Sequence, residues 1–224
     1  MTSYEHKVKN IYLGEPWWTP GENTIAYYPF KEDFADKVWS RTLTTSWCTI
    51  SQWVLNIDYD SSYIQLSQWI AGSTLTINVR YYYWANSSSR QWNRNCLFSY
   101  DTEEEHACFP ANTDQWHTIW NVWYYHNRSF TNWNTTLTLQ NRYNIVVTKN
   151  WTNEKIYING VCVLDSNSSF NNNSYPVNWI WSCASNKPEA AQWKMSELIF
   201  ESKEWTAQEV EKYFNDTKSN YGIS

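Results

Sequence analysis

Carboxylates are the first residues to consider for chemistry, because cleavage of a glycosidic bond needs two carboxyl groups about 5–5.5 Å or about 6.5–9.5 Å apart. Glu197 and Glu201 would share one face of a strand, yet at roughly 3.3 Å per residue they stand about 13 Å apart. Asp58 and Asp60 would be about 6.6 Å apart in an extended chain, but the two serines after them predict a turn. We therefore expect no catalytic residue and a protein that is not an enzyme.

Binding of a hard cation is the second chemistry that these acids allow, because calcium takes carboxylate oxygens as ligands. The weak candidate ligands are Asp58, Asp60, Glu103 and Glu105. The alternative is that the aspartates are turn residues and that the acidic run beside His106 is a solvated loop. A zinc site is not expected, since no C-x-x-C pair occurs and the histidines lack ligand spacing. We expect no cofactor, and calcium is the one that the sequence leaves open.

The charge and hydropathy of the sequence bear on three properties: nucleic-acid binding, membrane spans and a signal peptide. The chain carries a formal net charge of −5 and no block of Lys and Arg, so a nucleic-acid partner is not expected. No apolar stretch reaches the length of about 18 residues that a membrane-spanning helix needs. The first ten residues lack the apolar run of a signal peptide.

Five cysteines leave at least one unpaired or available to another chain. Cys96 and Cys108 flank the short acidic loop and could close it with a disulfide. Buried thiols are the alternative, because the redox compartment is not known.

Aromatic residues are the most unusual feature of the composition, with 17 Trp and 17 Tyr among 224 residues. Each buries roughly 150–250 Å² and keeps one polar atom, so one core cannot absorb them all. The surplus predicts exposed aromatic surface for contacts with glycans or partner subunits. The candidate contact residues are Trp17, Trp18, Trp84, Trp123 and Tyr125.

Seven Asn-x-Ser/Thr acceptors for N-glycosylation occur, only slightly more than chance predicts for a chain so rich in Asn, Ser and Thr. They are Asn86, Asn127, Asn134, Asn150, Asn167, Asn172 and Asn215. That they carry glycans is a hypothesis, and it requires these residues to lie on an exposed surface of a glycoprotein.

Strand patterns dominate the chain. From Thr74 to Trp84 apolar and polar residues alternate, which predicts a half-buried strand. The segments Trp47–Ile57, Tyr63–Ile70 and Gln115–Tyr125 also read as strands.

A hairpin and a helix are the sharpest local signals. Asn159-Gly160 is a favoured type I′ turn pair and places Ile158 opposite Val161, with Ile156 opposite Val163 and Tyr157 opposite Cys162. A capping box at Thr206 and Glu209 starts a helix that we expect to run to about Lys218. These elements predict one domain over residues 1–224 that is all-β, a two-sheet antiparallel jelly-roll sandwich with one short C-terminal helix.

Four segments in order resemble the laminin G-like branch of the concanavalin A-like lectin/glucanase superfamily. They are Thr24–Asp36, Ser46–Val54, Tyr143–Asn150 followed by Lys155–Val161, and Lys194–Phe200 followed by Trp205–Phe214. The resemblance covers about residues 24–214. Arg142 and Tyr143 stand where the family often has Trp-His, and Ser196 stands where it often has Asp. The segment 85–135 has no counterpart and reads as a divergent insertion.

The resemblance implies a sandwich that binds glycans or proteins, builds surfaces, or in some branches hydrolyses glycans. We expect a non-enzymatic surface protein that contacts glycans, a cell-surface receptor or neighbouring subunits, such as a virion coat, spike or turret component. It would lie outside the cell or on a virion, within an oligomer or larger assembly. The first alternative is a free lectin-like carbohydrate-binding module, and the second is a glycoside hydrolase.

Overall fold

The structure is a computed structural model. It describes residues 18–39, 41–57, 63–70, 72–85, 94–100, 105–110, 121–126, 129–138, 140–150, 153–166, 177–180 and 192–223. Side chains are described for fewer residues than the backbone. Those of β7, β8, β9 and β14, and those of β10 apart from Thr135, lie outside the description; the bounds of these strands follow.

Fifteen strands and one α-helix make up the described chain. The strands are β1 (Thr24–Tyr28), β2 (Leu43–Ser46), β3 (Cys48–Ser51), β4 (Val54–Ile57), β5 (Tyr63–Ile70), β6 (Leu75–Ala85), β7 (Arg94–Tyr100), β8 (Glu105–Pro110), β9 (Asn121–His126), β10 (Ser129–Thr136), β11 (Arg142–Lys149), β12 (Glu154–Ile158), β13 (Val161–Ser166), β14 (Val177–Ile180) and β15 (Gln192–Glu201). Helix α1 (Ala207–Thr217) continues into a 3-10 helix, Lys218–Tyr221.

The strands form two antiparallel sheets. The first has the order β13-β12-β11-β6-β15-β4-β3, with β1 paired to the far half of β15. The second has the order β10-β9-β8-β7-β14-β5-β2. This arrangement with one short C-terminal helix confirms the predicted all-β sandwich.

The core lies between the sheets. The inward side chains of β6, such as Leu75 and Val79, share one buried cluster with Leu43, Ile64 and Leu66 of the second sheet. The period-two pattern of β6 is what aims its apolar residues at this interface.

The polar face of β6 is also buried, although the alternation predicted a half-buried strand. Thr76, Asn78 and Arg80 have almost no exposed surface. The C-terminal segment covers them: Thr76 Oγ1 donates to the carbonyl of Lys203, and Arg80 donates to Thr217 Oγ1. A packed helix therefore turns a polar strand face into a second interior.

Glu197 lies at the centre of that second interior. Its carboxylate accepts hydrogen bonds from the hydroxyls of Tyr27 at 3.3 Å and Tyr221 at 2.8 Å, and also from Tyr213. The guanidinium of Arg80, opposite Glu197 in the sheet, lies 4.8 Å from the ring centre of Tyr213 and 4.5 Å from that of Tyr221. Such charged groups are tolerated in an interior only when they are bonded or paired. Burial, followed by the charge of Glu197, raises the pKa of each of the three tyrosines.

The β12–β13 turn follows the prediction, with Asn159 and Gly160 both at positive φ. Ile158 faces Val161 and Tyr157 faces Cys162, as expected. A bulge then intervenes, so that Ile156 faces Leu164 and not Val163. The predicted pairing of Ile156 with Val163 is therefore wrong, and the side chain buried opposite Ile156 is Leu164, while Val161 is 65% exposed.

The segment Trp47–Ile57 is two strands and not one. β3 and β4 form a hairpin whose turn residues, Gln52 and Trp53, both have positive φ. Neither residue is a usual choice for such a turn, which is why the sequence pattern did not show it. The prediction for Tyr63–Ile70 is confirmed by β5.

Helix α1 has the predicted capping box, in which Thr206 and Glu209 exchange hydrogen bonds. It runs from Ala207 to Thr217, with Val210, Tyr213 and Phe214 buried. The tip of the β12–β13 hairpin lies beneath it, because a Cβ at Gly160 would stand 3.1 Å from the ring of Phe214.

The segment without a family counterpart supplies four strands, β7 to β10, at one edge of the second sheet. Each pairs with the next, so they form an antiparallel meander. Of the predicted strand Gln115–Tyr125, the structure describes Asn121 onward as β9.

Candidate functional site

An open cleft of about 400 Å³ lies between the start of the described chain, the end of β15 and helix α1. Its described lining residues are aromatic, acidic, basic and amide in type. They are Trp18, Thr19, Gly21, Glu22, Asn23, Glu201, Lys203, Trp205, Glu209, Lys212, Tyr213 and Asp216. The volume is within the range of small-ligand sites, which run from about 300 to 1,000 Å³.

Aromatic rings form the walls of the cleft. The ring of Trp18 meets that of Tyr27 edge-on at 5.1 Å, and the ring of Trp205 lies 5.2 Å from that of Tyr213. All four belong to one apolar cluster that also contains Val210. Contacts between rings at this spacing hold the indoles in place.

Glu201 fixes the base of the cleft. Its Oε2 accepts from the indole Nε1 of Trp205 at 2.7 Å, and its Oε1 accepts from Thr24 Oγ1 at 3.2 Å. The backbone N–H of Trp205 donates to Thr76 Oγ1 at 2.9 Å. The orientation of Trp205 is therefore set at both its backbone and its ring.

Two ion pairs lie on the rim. Lys203 Nζ lies 2.6 Å from Glu209 Oε1, and Lys212 Nζ lies 2.5 Å from Asp216 Oδ2. The hydrogen bond from Lys203, together with the backbone bond from Thr206, lowers the pKa of Glu209. The same bond raises the pKa of Lys203.

A loop held by Asp36 stands next to the aromatic cluster. The buried carboxylate of Asp36 accepts from the backbone N–H groups of Tyr27, Val38 and Trp39 at 2.9 to 3.2 Å. Val38 packs on the cluster that holds Trp18, while the Trp39 side chain is 65% exposed. The loop thus displays an indole from a fixed backbone.

Among the predicted contact residues, Trp18 is the one that the structure places in the cleft. Trp17 lies outside the described residues. Trp84 lies on β6, and Trp123 and Tyr125 lie on β9, but their side chains are outside the description.

The candidate calcium ligands are not brought together in the part of the chain that the structure describes. Asp58, Asp60 and Glu103 lie outside it. Glu105 begins β8, but its side chain is not described. Within the described residues no group of three or more His, Cys, Asp or Glu is arranged to hold a metal ion.

The two cysteines of the predicted disulfide lie opposite each other. Cys96 of β7 and Cys108 of β8 are direct partners in the antiparallel register. Facing residues of such a pair have Cα atoms about 4.5–5.5 Å apart, which a disulfide can span. The disulfide stays a prediction that this register supports.

Two acceptors for N-glycosylation have described side chains. Asn150 donates from Nδ2 to Glu204 at 2.7 Å and accepts from the N–H of Asn153 at 3.0 Å. Asn215 is exposed on α1, but Thr217 of the same acceptor is buried. The side chain of Asn134 is not described, and Asn86, Asn127, Asn167 and Asn172 lie outside the described residues.

The sequence reasoning missed the central residue of the cleft. Trp205 precedes the N-cap Thr206, and Val210 follows it at the fourth helical position, which is the spacing of a hydrophobic staple. That signal would have placed Trp205 against the helix. Glu201 was considered as a catalytic acid, whereas the structure uses it to orient Trp205.

The exposed Trp39 and Trp47 were also missed, since no local pattern distinguishes them from core residues. Trp47 is 67% exposed and has a positive φ at the corner between β2 and β3. In the portion of the chain with described structure, no helix has the length and apolar character needed to cross a membrane.

No family model matches the chain, and a search of curated proteins found no match. Solved structures with the same architecture are numerous, however. Domain 4 of AbnA, a GH43 extracellular arabinanase from Geobacillus stearothermophilus in complex with arabinotriose, superposes with a TM-score of 0.61 at 11% identity. The match covers 85% of this chain and 97% of that domain.

The shared fold is an antiparallel β-sandwich of two sheets. Trypanosoma rangeli sialidase is also similar, with a TM-score of 0.68 at 10% identity over 99% of this chain and 38% of the sialidase. Its complex with 2,3-difluoro-KDN gives a TM-score of 0.70 at 10% identity over 97% of this chain and 39% of that one. The chain therefore spans less than two fifths of the sialidases that it matches.

Proposed function

We propose that this protein is a non-enzymatic glycan-recognition domain that binds an oligosaccharide in the cleft between Trp18 and Trp205. The observation that carries the proposal is a cleft whose described lining combines the indole of Trp18, the edge of the largely buried Trp205 and several polar side chains. Sugar rings present apolar C–H faces and polar hydroxyl edges, so they suit a site with aromatic faces and a few convergent polar groups. The arabinotriose complex of the similar arabinanase domain supports an oligosaccharide as the ligand class.

A binding role suits the acids of the cleft better than hydrolysis does. Both oxygens of Glu201 accept hydrogen bonds from protein groups. Glu209 completes the helix cap and pairs with Lys203, and its lowered pKa opposes service as a general acid near neutral pH. Asp216 is paired with Lys212. A glycosidase would need one acid with a raised pKa and a second at a suitable separation.

The charge of the cleft favours an uncharged glycan. Its described lining contains four acids and two lysines, and both lysines are paired with acids. An acidic sugar would meet Glu22 and Glu201 with no unpaired cation among the described lining residues, and the repulsion would add to the cost of removing its charge from water.

The test is calorimetric titration with neutral oligosaccharides chosen from a glycan array. Trp18→Ala removes one wall, and we expect a loss of about 2 kcal/mol, or about 30-fold in Kd. Trp47→Ala removes an equally large exposed indole away from the cleft and serves as the matched control. Binding that is unchanged in the first variant, or lost equally in both, would refute the proposal.

We further propose that the domain belongs to the laminin G-like branch and is displayed outside the cell or on a virion surface as part of an assembly. The exposed Trp39, Trp47 and Val161 support contacts beyond the cleft, because large apolar side chains on a surface often mark interfaces. Light scattering on material purified from its source tests this. A particle or oligomer is expected, and a monomer would favour the free lectin-like module.

A further inference from the structure

Three polar side chains form one row across the neighbouring strands β1, β15 and β6. In the antiparallel register Glu201 of β15 is the direct partner of Thr24 on one side and of Thr76 on the other. Direct partners point to the same face of a sheet. All three residues are almost wholly buried, and neither threonine is among the described residues that line the cleft. The two threonines can therefore act on the site only through the residues that they bond.

Thr24 holds the segment that carries Trp18. Its Oγ1 donates to Glu201 Oε1 at 3.2 Å and accepts from the backbone N–H of Gly21 at 2.8 Å. The backbone N–H of Thr24 also donates to the carbonyl of Gly21 at 3.1 Å. The turn from Gly21 to Thr24 therefore has a backbone bond of its own, and the hydroxyl adds a link from that turn to β15.

Thr76 holds the other side of the cleft in the same manner. Its Oγ1 accepts from the backbone N–H of Trp205 at 2.9 Å and donates to the carbonyl of Lys203 at 2.6 Å. Glu201 completes the link, because its Oε2 accepts from the indole Nε1 of Trp205 at 2.7 Å. The row of three side chains thus joins the segment before β1 and the segment after β15 to the same sheet.

We propose that Thr24 is a positioning residue of the glycan site, which holds the Trp18 wall in place relative to Trp205 without touching the ligand. This inference rests on the function proposed for the cleft. A wall that must be ordered on binding weakens affinity, whereas a wall that is already fixed avoids that cost. The Thr24 hydroxyl fixes the wall in advance, because it bonds the same carboxylate that orients Trp205.

Calorimetric titration of the whole chain tests the role, with a neutral oligosaccharide that binds the wild-type protein on the array. Thr24→Val keeps the size of the side chain and removes the hydroxyl, and we expect Kd to rise about 3- to 10-fold. The rise stays below that of Trp18→Ala, because Thr24 acts through that wall. Thr24→Ser retains the hydroxyl and keeps Kd near the wild-type value. Thr148→Val, at a buried threonine of β11 outside the described lining, is the matched control and leaves Kd unchanged.

A double variant separates positioning from a general loss of stability. In the Trp18→Ala background the wall is already gone, so Thr24→Val is expected to change Kd by about twofold or less, while its effect on denaturant unfolding persists. Equal fold-changes in Kd with and without Trp18, or a Kd that Thr24→Val does not alter, would overturn the proposal.

Amide hydrogen exchange reads the position of the wall without any ligand. Thr24→Val removes the acceptor of the Gly21 N–H, so exchange at Gly21 is expected to become about tenfold faster, with Thr24→Ser near the wild-type rate. Unchanged exchange in Thr24→Val would overturn the positioning role. If no oligosaccharide bound the wild-type chain and the exchange still responded as expected, the glycan function would fail while the placement of the Trp18 segment by Thr24 would stand.

Discussion

Replacing Tyr221 with Phe tests the claim that Glu197 organises the interior beneath the helix. The change removes one hydroxyl that donates to Glu197 Oε2 at 2.8 Å and leaves the ring beside Arg80. Hydrogen bonds to charged groups contribute about 1.5–3 kcal/mol. For a chain of this size that corresponds to a fall in Tm of about 3–12 °C.

Tyr28→Phe is the matched control, because Tyr28 is equally buried but its hydroxyl has no hydrogen-bond partner among the described residues. Removal of that hydroxyl is expected to be neutral or stabilising, since an unsatisfied buried polar atom disappears. Denaturant unfolding of both variants, and a double-mutant cycle with Glu197→Gln, measures the difference. Similar losses in the two Tyr variants, or a coupling energy near zero between Tyr221 and Glu197, would refute the reasoning.

Four further outcomes follow from the same structure. Gly160→Ala destabilises the fold by about 1–2 kcal/mol in denaturant unfolding, because φ is +81° and the added Cβ meets a helix side chain at 3.1 Å; a neutral effect would contradict the turn geometry. Thr206→Ala removes the helix cap and costs about 1 kcal/mol, which thermal unfolding can measure against the reversible Thr206→Ser change. Burial, followed by the neighbouring Cys162, raises the pKa of Tyr157 to about 12; because the unfolded side chain ionises near pH 10, its contribution to stability is complete below pH 10 and is lost towards pH 12, and an ultraviolet titration in which the folded protein ionises all its tyrosines near pH 10 would disagree. Peptide mapping without reductant is expected to recover Cys96 joined to Cys108, and separate alkylated peptides would show free thiols instead.

The features that the sequence predicted correctly are set by neighbouring residues. Asn159 and Gly160 specify their turn through their own backbone preferences. Thr206 and Glu209 specify the helix start through bonds within one turn. The alternation in β6 predicts its inner face because side chains on a strand point to opposite sides in turn.

The features that the sequence did not predict depend on contacts between distant parts of the chain. The polar face of β6 is buried because α1, far along the chain, packs over it. The cleft escaped prediction because Trp18 and Trp205 come from opposite ends of the described chain. The bulge in the β12–β13 ladder depends on which of Val163 and Leu164 fits the core, and that choice is made by packing across the sandwich.

The most direct test of the glycan-recognition account is a crystal structure of the protein with a bound neutral oligosaccharide. The account predicts sugar density in the cleft, with a ring face against the indole of Trp18 and hydroxyls near Asn23 and Lys203. Density on another face of the sandwich, or a cleft that stays empty at saturating oligosaccharide, would contradict it.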